Sequence, residues 1–401
     1  MEFVISNVQL LYGEELECKK GLALLIKDGL IKDIIPESQL PATVKVIDGN
    51  GGFLAPGLID LHIHMMWDGS LNPVQTSETE GYEQMLIRAV ANCQTYLHHG
   101  ITTVRDIGSI DDIALQVAKG IKRGLISGPD VIASGKTLTM TGGHDPFWAR
   151  FVDGKEEALK GVREQIFKGA EVIKVSSTGG VYGRIEGEQV GNAELSLEEQ
   201  EVICNEAHRF GLKVASHAIG RDGIHNSILA GVDTIEHGHF LDDELVALME
   251  ERNTAWIPTL FVYKQIATQE GIPSYARDKA EEIVRIHRNA FECYFNRNIV
   301  IGAGSDAGSP CTSHRALLDE LYTMYEMIPD AKEVLKTATV NAGKILGHDV
   351  GQIKEGYRAN LILLKENPLE CLSNLESIKM VVIRGKVLMK YTNNNLEMIA
   401  E

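Results

Sequence analysis

The apolar positions change their period twice along this chain. Residues 2–11 are mostly apolar and β-branched, and 21–27 (GLALLIK) and 30–35 flank Asp28-Gly29, a hairpin signal. Residues 44–47 lead to a second expected turn at Asp48-Gly49. No helical period runs through this region, so it predicts a small β unit. From residue 56 on, apolar strand-like runs alternate with helical stretches. The runs fall at 58–64, 101–106, 131–134, 171–176, 213–217, 234–237, 255–260 and 299–306. Helical patterns fall at 80–99, 111–123, 156–168, 196–210, 222–230, 242–252, 277–296, 313–327 and 331–346. Ser196 with Glu199 three residues on predicts a capping box, and Gly169 and Gly211 close the helices before them.

Eight strand–helix alternations imply right-handed crossovers and a parallel sheet. The expected class is α/β, with residues 56–351 closing into a (β/α)8 TIM barrel. An open doubly wound sheet is the alternative. The last stretch returns to β character at 361–364 and at 378–387 around Arg384-Gly385, with a turn at Glu355-Gly356. Each terminal fragment is too small to bury a face alone. Residues 1–55 and 352–401 are therefore expected to pair into one composite β-sandwich domain.

Composition narrows the partners. The 401 residues are 44% hydrophobic and 24% charged, with a net charge of −17. Nothing resembles a basic stripe, which argues against nucleic acid. No 18-residue apolar run exists, so no membrane span is expected. The opening MEFVISNVQLLYG lacks a secretory pattern, and a cytoplasmic protein is expected. The six cysteines are scattered without a C-x-x-C and read as reduced thiols.

The chemistry sits at strand ends. In a strand over 58–64, period-2 alternation puts His62 and His64 on one face. Two neutral imidazoles aimed at one point suit a divalent transition metal. Lys174, His217, His237 and Asp306 also fall in or at the ends of later strands, on the rim where barrel enzymes carry function. Lys174 points either outward to helices or inward to the barrel mouth. Inward, burial would free its amine to take up CO2 as a two-oxygen carbamate able to bridge two metals. A plain ammonium among four histidines and a metal would be repelled, so Lys174 is either modified in the site or outside it. Asp306, with small neighbours in GSDAG, can ligate a metal and accept a proton from an attacking water.

The stretches APGLIDLHIH, EVIKVSSTGG, SHA, IEHG and GSDAG together resemble the amidohydrolase superfamily, in its binuclear subtype with a carboxylated lysine. The resemblance covers nearly the whole chain and is strongest to the prolidase-related branch, which holds Xaa-Pro and Xaa-Arg dipeptidases and imidazolonepropionase. It implies two divalent metal ions, expected to be zinc: His62, His64 and Asp306 on the more buried one, His217 and His237 on the other, and Lys174 bridging. Imidazolonepropionase lacks a strand-four lysine, and the deaminase pattern has a glutamate after the strand-five histidine, where this chain has AIGRDG. The tail reads RANLIL where alanine-aspartate-leucine is common.

His144, in Thr141-Gly142-Gly143-His144, resembles the group that polarises the scissile carbonyl, and otherwise reads as a loop histidine. Tyr182 resembles a residue that binds the substrate's α-carboxylate. Arg184 can fork onto a carboxylate or stand exposed. The implied activity is hydrolysis of an amide in a dipeptide or N-acyl amino acid. Alternatives are another amide, a carbamate or a lactam, and a scaffold that has lost catalysis. A small-molecule substrate and a homo-oligomer are expected. Trp67, Trp148 and Trp256 read as pocket wall or as core, and His239 and His314 are left open.

Overall fold

Strands from both chain ends share one sheet. In the computed structural model, which describes residues 2–182, 187–392 and 395–398, with side chains up to residue 390, this sheet has nine strands. Glu2–Tyr12 runs parallel to Lys45–Pro56 and antiparallel to Leu22–Lys27. Leu361–Leu364 then pairs with Lys45–Pro56, so the tail continues the sheet that the N-terminus begins. Phe3, Ile5, Leu24, Leu54, Leu361 and Val382 fill its own apolar cluster. The Asp28-Gly29 hairpin forms as read, with both residues at positive φ. The turn read at Asp48-Gly49 does not. Lys45–Pro56 continues past it with a bulge: Asn50 and Gly51 hold positive φ, Asn50 N–H donates to Asp48 Oδ1 at 2.7 Å, and the register with Glu2–Tyr12 slips between Ser6 and Val8.

The remainder is α/β with parallel sheets. Leu58–Ile63, Ile101–Asp106 and Asp130–Ala133 form one parallel sheet. Thr137–Thr139, Ala149–Phe151, Val172–Ser176, Lys213–Ala218, Thr234–His237 and Ala255–Ile257 form another. Backbone bonds link them: Glu171 N–H donates to Ala133 O at 2.9 Å, and at the other edge Leu61 N–H donates to Ala303 O at 3.0 Å while the neighbouring Gly302 N–H donates to Trp256 O at 2.9 Å.

Three expected elements differ. The strand read at 299–306 is reduced to single bridges, Trp256 with Ile301 and Ile63 with Ala307. The chain there passes too close for regular pairing: a Cβ on Gly304 would meet His62 Cβ at 2.7 Å, and Asp306 turns left-handed at φ 58°. The strand read at 255–260 stops at Ile257. Thr259, at φ 51°, turns the chain into the helix Leu260–Thr268, whose first amides donate to the Glu320 carboxylate. The helix read at 331–346 breaks into Ala331–Thr337 and Val340–Leu346. The Ser196–Glu199 capping box is present. No described helix is long and apolar enough to cross a membrane.

Candidate metal centre

Four histidine rings meet at the strand ends. Centroids of His62 and His64 lie 5.4 Å apart, His62 and His237 5.0 Å, and His217 and His237 4.6 Å. Asp306 Oδ1 stands 3.3 Å from His64 Nε2 and 3.9 Å from His62 Nε2. One donor atom from each of His62, His64 and Asp306 lies within 4.8 Å of the others. His237 and Asp306 both hold positive φ, at 72° and 58°. Such backbone strain in non-glycine residues clusters at functional sites.

Each ring is gripped on the far side. His62 Nδ1 bonds Glu236 Oε2 at 2.9 Å, His64 Nδ1 bonds Gly108 O at 3.0 Å, and His237 Nδ1 bonds Thr259 Oγ1 at 2.7 Å. His217 bonds the backbone of Gly179, and its buried Nε2 has no partner among the described residues. Buried ring nitrogens are normally paired. Fixing Nδ1 as the donor leaves an Nε2 lone pair on each ring, which is how proteins prepare imidazoles for a metal. The donor set fits divalent cations.

The charge state agrees. Burial, helped by Lys174, pushes His62 down to about 4. Burial also holds His217 and His237 well below the usual imidazole value. Burial would raise the Asp306 carboxyl, but His62 and His64 outweigh it and hold it well below the usual range. His64 is the exception: burial lowers it, and Asp306 pulls it above its ordinary value. A divalent cation between the two would displace that proton. Lys174, 2% exposed, lines the same cavity. Burial lowers its pKa, against the pull of Glu236, Asp145 and Asp306. It lies inward, of the two orientations left open by the sequence.

His144 reaches the same cavity and stacks on His217 at 4.2 Å. Its Nδ1 bonds Glu188 Oε1 at 2.6 Å, its Nε2 lies 3.1 Å from Asp145 Oδ1, and its backbone N–H donates to Glu194 Oε2. Burial disfavours its charge, yet Asp145 and Glu188 prevail and raise it to about 9. The ring rests on Gly180, where a Cβ would lie 2.2 Å from His144 Cε1, so the glycine is required. Tyr182 lines the cavity, but its hydroxyl donates to Asn72 Oδ1 at 2.6 Å and accepts from Val74 N–H at 3.3 Å. Arg184 lies outside the described residues.

Several supporting residues escaped the sequence reading. Glu236 also accepts from Arg105 at 2.7 Å, and the Arg105 Nε donates to Leu61 O. Asp60 accepts from the Ser305 hydroxyl at 2.6 Å, next to Asp306. Asp145 and Tyr263 share the cavity, beside Trp67 and Trp148, which the sequence left between pocket wall and core. The signal for Arg105 and Glu236 was present: charged residues in two short, otherwise apolar or neutral strands, Arg105 and Asp106 in ITTVRD and Glu236 in TIEH, whose every residue is buried. Glu188 had no such signal, because it comes from an irregular loop.

Known proteins resemble this chain over most of its length. The model of the amidohydrolase family matches residues 53–388. Ochratoxinase of Aspergillus niger is 30% identical over 92% of this chain and 83% of its own. Imidazolonepropionase of Shewanella frigidimarina is 23% identical over 89% and 88%. The crystal structure of a Xaa-Pro dipeptidase with methionine bound in its active site superposes with a TM-score of 0.88, at 28% identity, over 96% of this chain and 99% of that one.

Proposed function

The chain belongs to the amidohydrolase family and is a hydrolase acting on C–N bonds, and from that premise we propose a two-metal enzyme that cleaves the amide of a dipeptide, of Xaa-Pro or Xaa-Arg type, or of an N-acyl amino acid. One observation carries the reading: four imidazoles fixed through their far nitrogens, with Asp306 and the buried Lys174, face one cavity. His62, His64 and Asp306 would hold one ion, His217 and His237 the other, with Lys174 shared between them. Two bound divalent ions, zinc expected, would supply Lewis-acid polarisation and a lowered pKa for the attacking water.

The protein's own groups do the rest. Lys174, as a free amine, takes up CO2: an N–C bond forms, one proton leaves, and the resulting carbamate offers two oxygens. Asp306, oriented by the Ser309 hydroxyl at 2.7 Å, accepts a proton from the attacking water and returns it to the leaving amine. His144, kept protonated by Glu188 and Asp145, donates toward the oxygen on which charge develops. The buried Glu236–Arg105 pair keeps the His62 ring from turning.

The same reading takes residues 56–351 as a closed eight-stranded barrel and 1–55 with 352–401 as one composite β-sandwich domain. The links at Glu171–Ala133 and Leu61–Ala303 support closure, and the shared nine-stranded sheet supports the composite domain.

The test is a screen of dipeptides and N-acyl amino acids on zinc-loaded protein, with metal stoichiometry measured on the same sample. Two metals and selective cleavage beside proline or a basic residue are expected. Two metals without peptide cleavage would move the substrate to lactams, carbamates or other amides. One metal or none would remove the Lys174 bridge.

A further inference from the structure

The three tryptophans of this chain are all buried, and among the described residues only one has a partner for its indole N–H. Trp256 donates to His237 O at 2.9 Å. Trp67 and Trp148, 2% and 1% exposed, have no acceptor for Nε1 among the described residues. A buried indole N–H ordinarily finds one. The two exceptions share a further property: both line the cavity that holds the metal-ligand set, and Trp256 does not.

Their surroundings are flat and apolar. The two indoles lie 4.2 Å apart, Phe147 packs edge-on to Trp148 at 4.7 Å, and the Tyr182 ring meets Trp67 at 6.0 Å. Trp148 stacks on His64 at 4.5 Å and 19°, so this wall begins at the proposed metal site itself. It is also held in place. His314 bonds Trp67 O at 2.8 Å and is in turn tied to the Tyr96 hydroxyl at 2.6 Å. A rigid wall with unused donors is built for an occupant that supplies acceptors.

Resting on the amide-hydrolase reading above, we propose that Trp67 and Trp148 form a specificity subsite for a planar group of the substrate that carries a hydrogen-bond acceptor oxygen. The aromatic wall guides the flat body, and the indole N–H groups take the oxygen. Carbonyl and carboxylate oxygens share this chemistry. The Asp145 carboxylate in the same cavity favours the neutral oxygen.

The test compares three N-acyl prolines: 4-acetylbenzoyl, 4-isopropylbenzoyl and 4-carboxybenzoyl. Acetyl and isopropyl match in shape and differ by one acceptor oxygen. KM and kcat are measured on zinc-loaded enzyme, and Kd by calorimetry on chelator-treated protein. The acetyl compound is expected to bind about tenfold more tightly than the isopropyl one. Trp67→Phe and Trp148→Phe keep a ring and remove the N–H, and either is expected to cut that preference to about threefold or less. A preference for the carboxylate over the acetyl compound that falls in the same variants would keep the subsite and make its oxygen anionic. Equal binding of acetyl and isopropyl compounds by the unsubstituted protein, or a preference that survives both substitutions, would overturn the subsite. Cleavage of all three with equal KM would leave the hydrolase and remove the subsite. The expected binding order without cleavage would leave the subsite and remove the amide reading.

Discussion

Two histidines in this cavity sit in chains of the same make-up and end in opposite charge states. His62 bonds Glu236, which bonds Arg105. His144 bonds Glu188, which pairs with Lys279. Yet burial and the nearby Lys174 bring His62 down to about 4, whereas His144 overcomes burial and rises to about 9. The difference lies in the company each chain keeps. Around His62, burial and the Lys174 ammonium outweigh the pull of Asp306 and of Glu236, which Arg105 holds at 2.7 Å. Lys279 approaches Glu188 only to 3.5 Å, is 18% exposed, and Asp145 adds a second carboxylate 3.1 Å from His144. One chain prepares a neutral imidazole, the form a metal would take. The other prepares a cationic donor. The count of carboxylates against close cations decides which.

The largest effects should come from the ligand set itself. Asp306→Asn and His62→Ala are each expected to lower kcat by about 10³-fold or more with far-UV circular dichroism unchanged. An Asp306→Asn enzyme of full activity would sink the proton role. Next comes the cation of the tighter chain. Arg105→Ala leaves the buried Glu236 carboxylate, now held at about 2 chiefly by Arg105 against burial, without its partner. The expected loss is about 3–5 kcal/mol of stability in urea unfolding. Glu236→Gln should weaken metal binding about 10–100-fold by competitive chelation. Glu188→Gln should leave metal stoichiometry intact and lower kcat/KM instead. Equal effects of the two Gln variants on metal affinity would erase the distinction drawn between the chains.

The two chains also separate along the pH axis in metal-free protein. His144 has its folded pKa raised to about 9 from 6.5. Its protonated form therefore contributes stability that is full below about pH 6.5 and lost as pH rises through about 9. Glu236 is lowered to about 2 from 4.5, so its contribution is present above about pH 4.5 and lost as pH falls through about 2. Thermal unfolding of Glu188→Gln should lose its alkaline limb at lower pH than the parent, and its acid limb should stay. An unchanged alkaline limb would mean that Glu188 does not hold the His144 proton.

The contrast bears on what a sequence can reveal. That His62, His64, Lys174, His217, His237 and Asp306 line one cavity was readable because they stand in or beside strands, and strands can be read from apolar period. The helices between them were readable for the same reason, and Ser196 with Glu199 marked its own cap. The misread stretches are those where tertiary approach overrides local pattern. The run at 299–306 has strand composition, but Gly304 pressed against His62 and left-handed Asp306 leave no room for a ladder. Asp48-Gly49 has turn composition, but pairing with Glu2–Tyr12 resumes at Gly52, so the left-handed Asn50 and Gly51 make a bulge inside one strand and do not end it. Glu188 was invisible, since a glutamate in a polar loop differs from its neighbours only once folded against His144.

The smallest expected effect is the sharpest test of the comparison. Lys279 and Arg105 occupy the same place in their chains, so a reading based on make-up alone expects their loss to cost alike. Geometry says otherwise. Lys279 reaches Glu188 at 3.5 Å from a partly exposed position and also donates to Gly180 O at 3.1 Å, so water can replace it. Glu188 Oε1 keeps both His144 and the Gly180 N–H at 2.8 Å without it. Lys279→Ala should therefore cost about 0.5–1 kcal/mol by urea unfolding, several-fold less than Arg105→Ala. It should also leave the ring more firmly protonated, because a competing cation is gone, and shift the alkaline limb of stability upward. A Lys279→Ala protein as unstable as Arg105→Ala would mean that the Lys279 ammonium is the true counter-ion of Glu188, and that His144 is not.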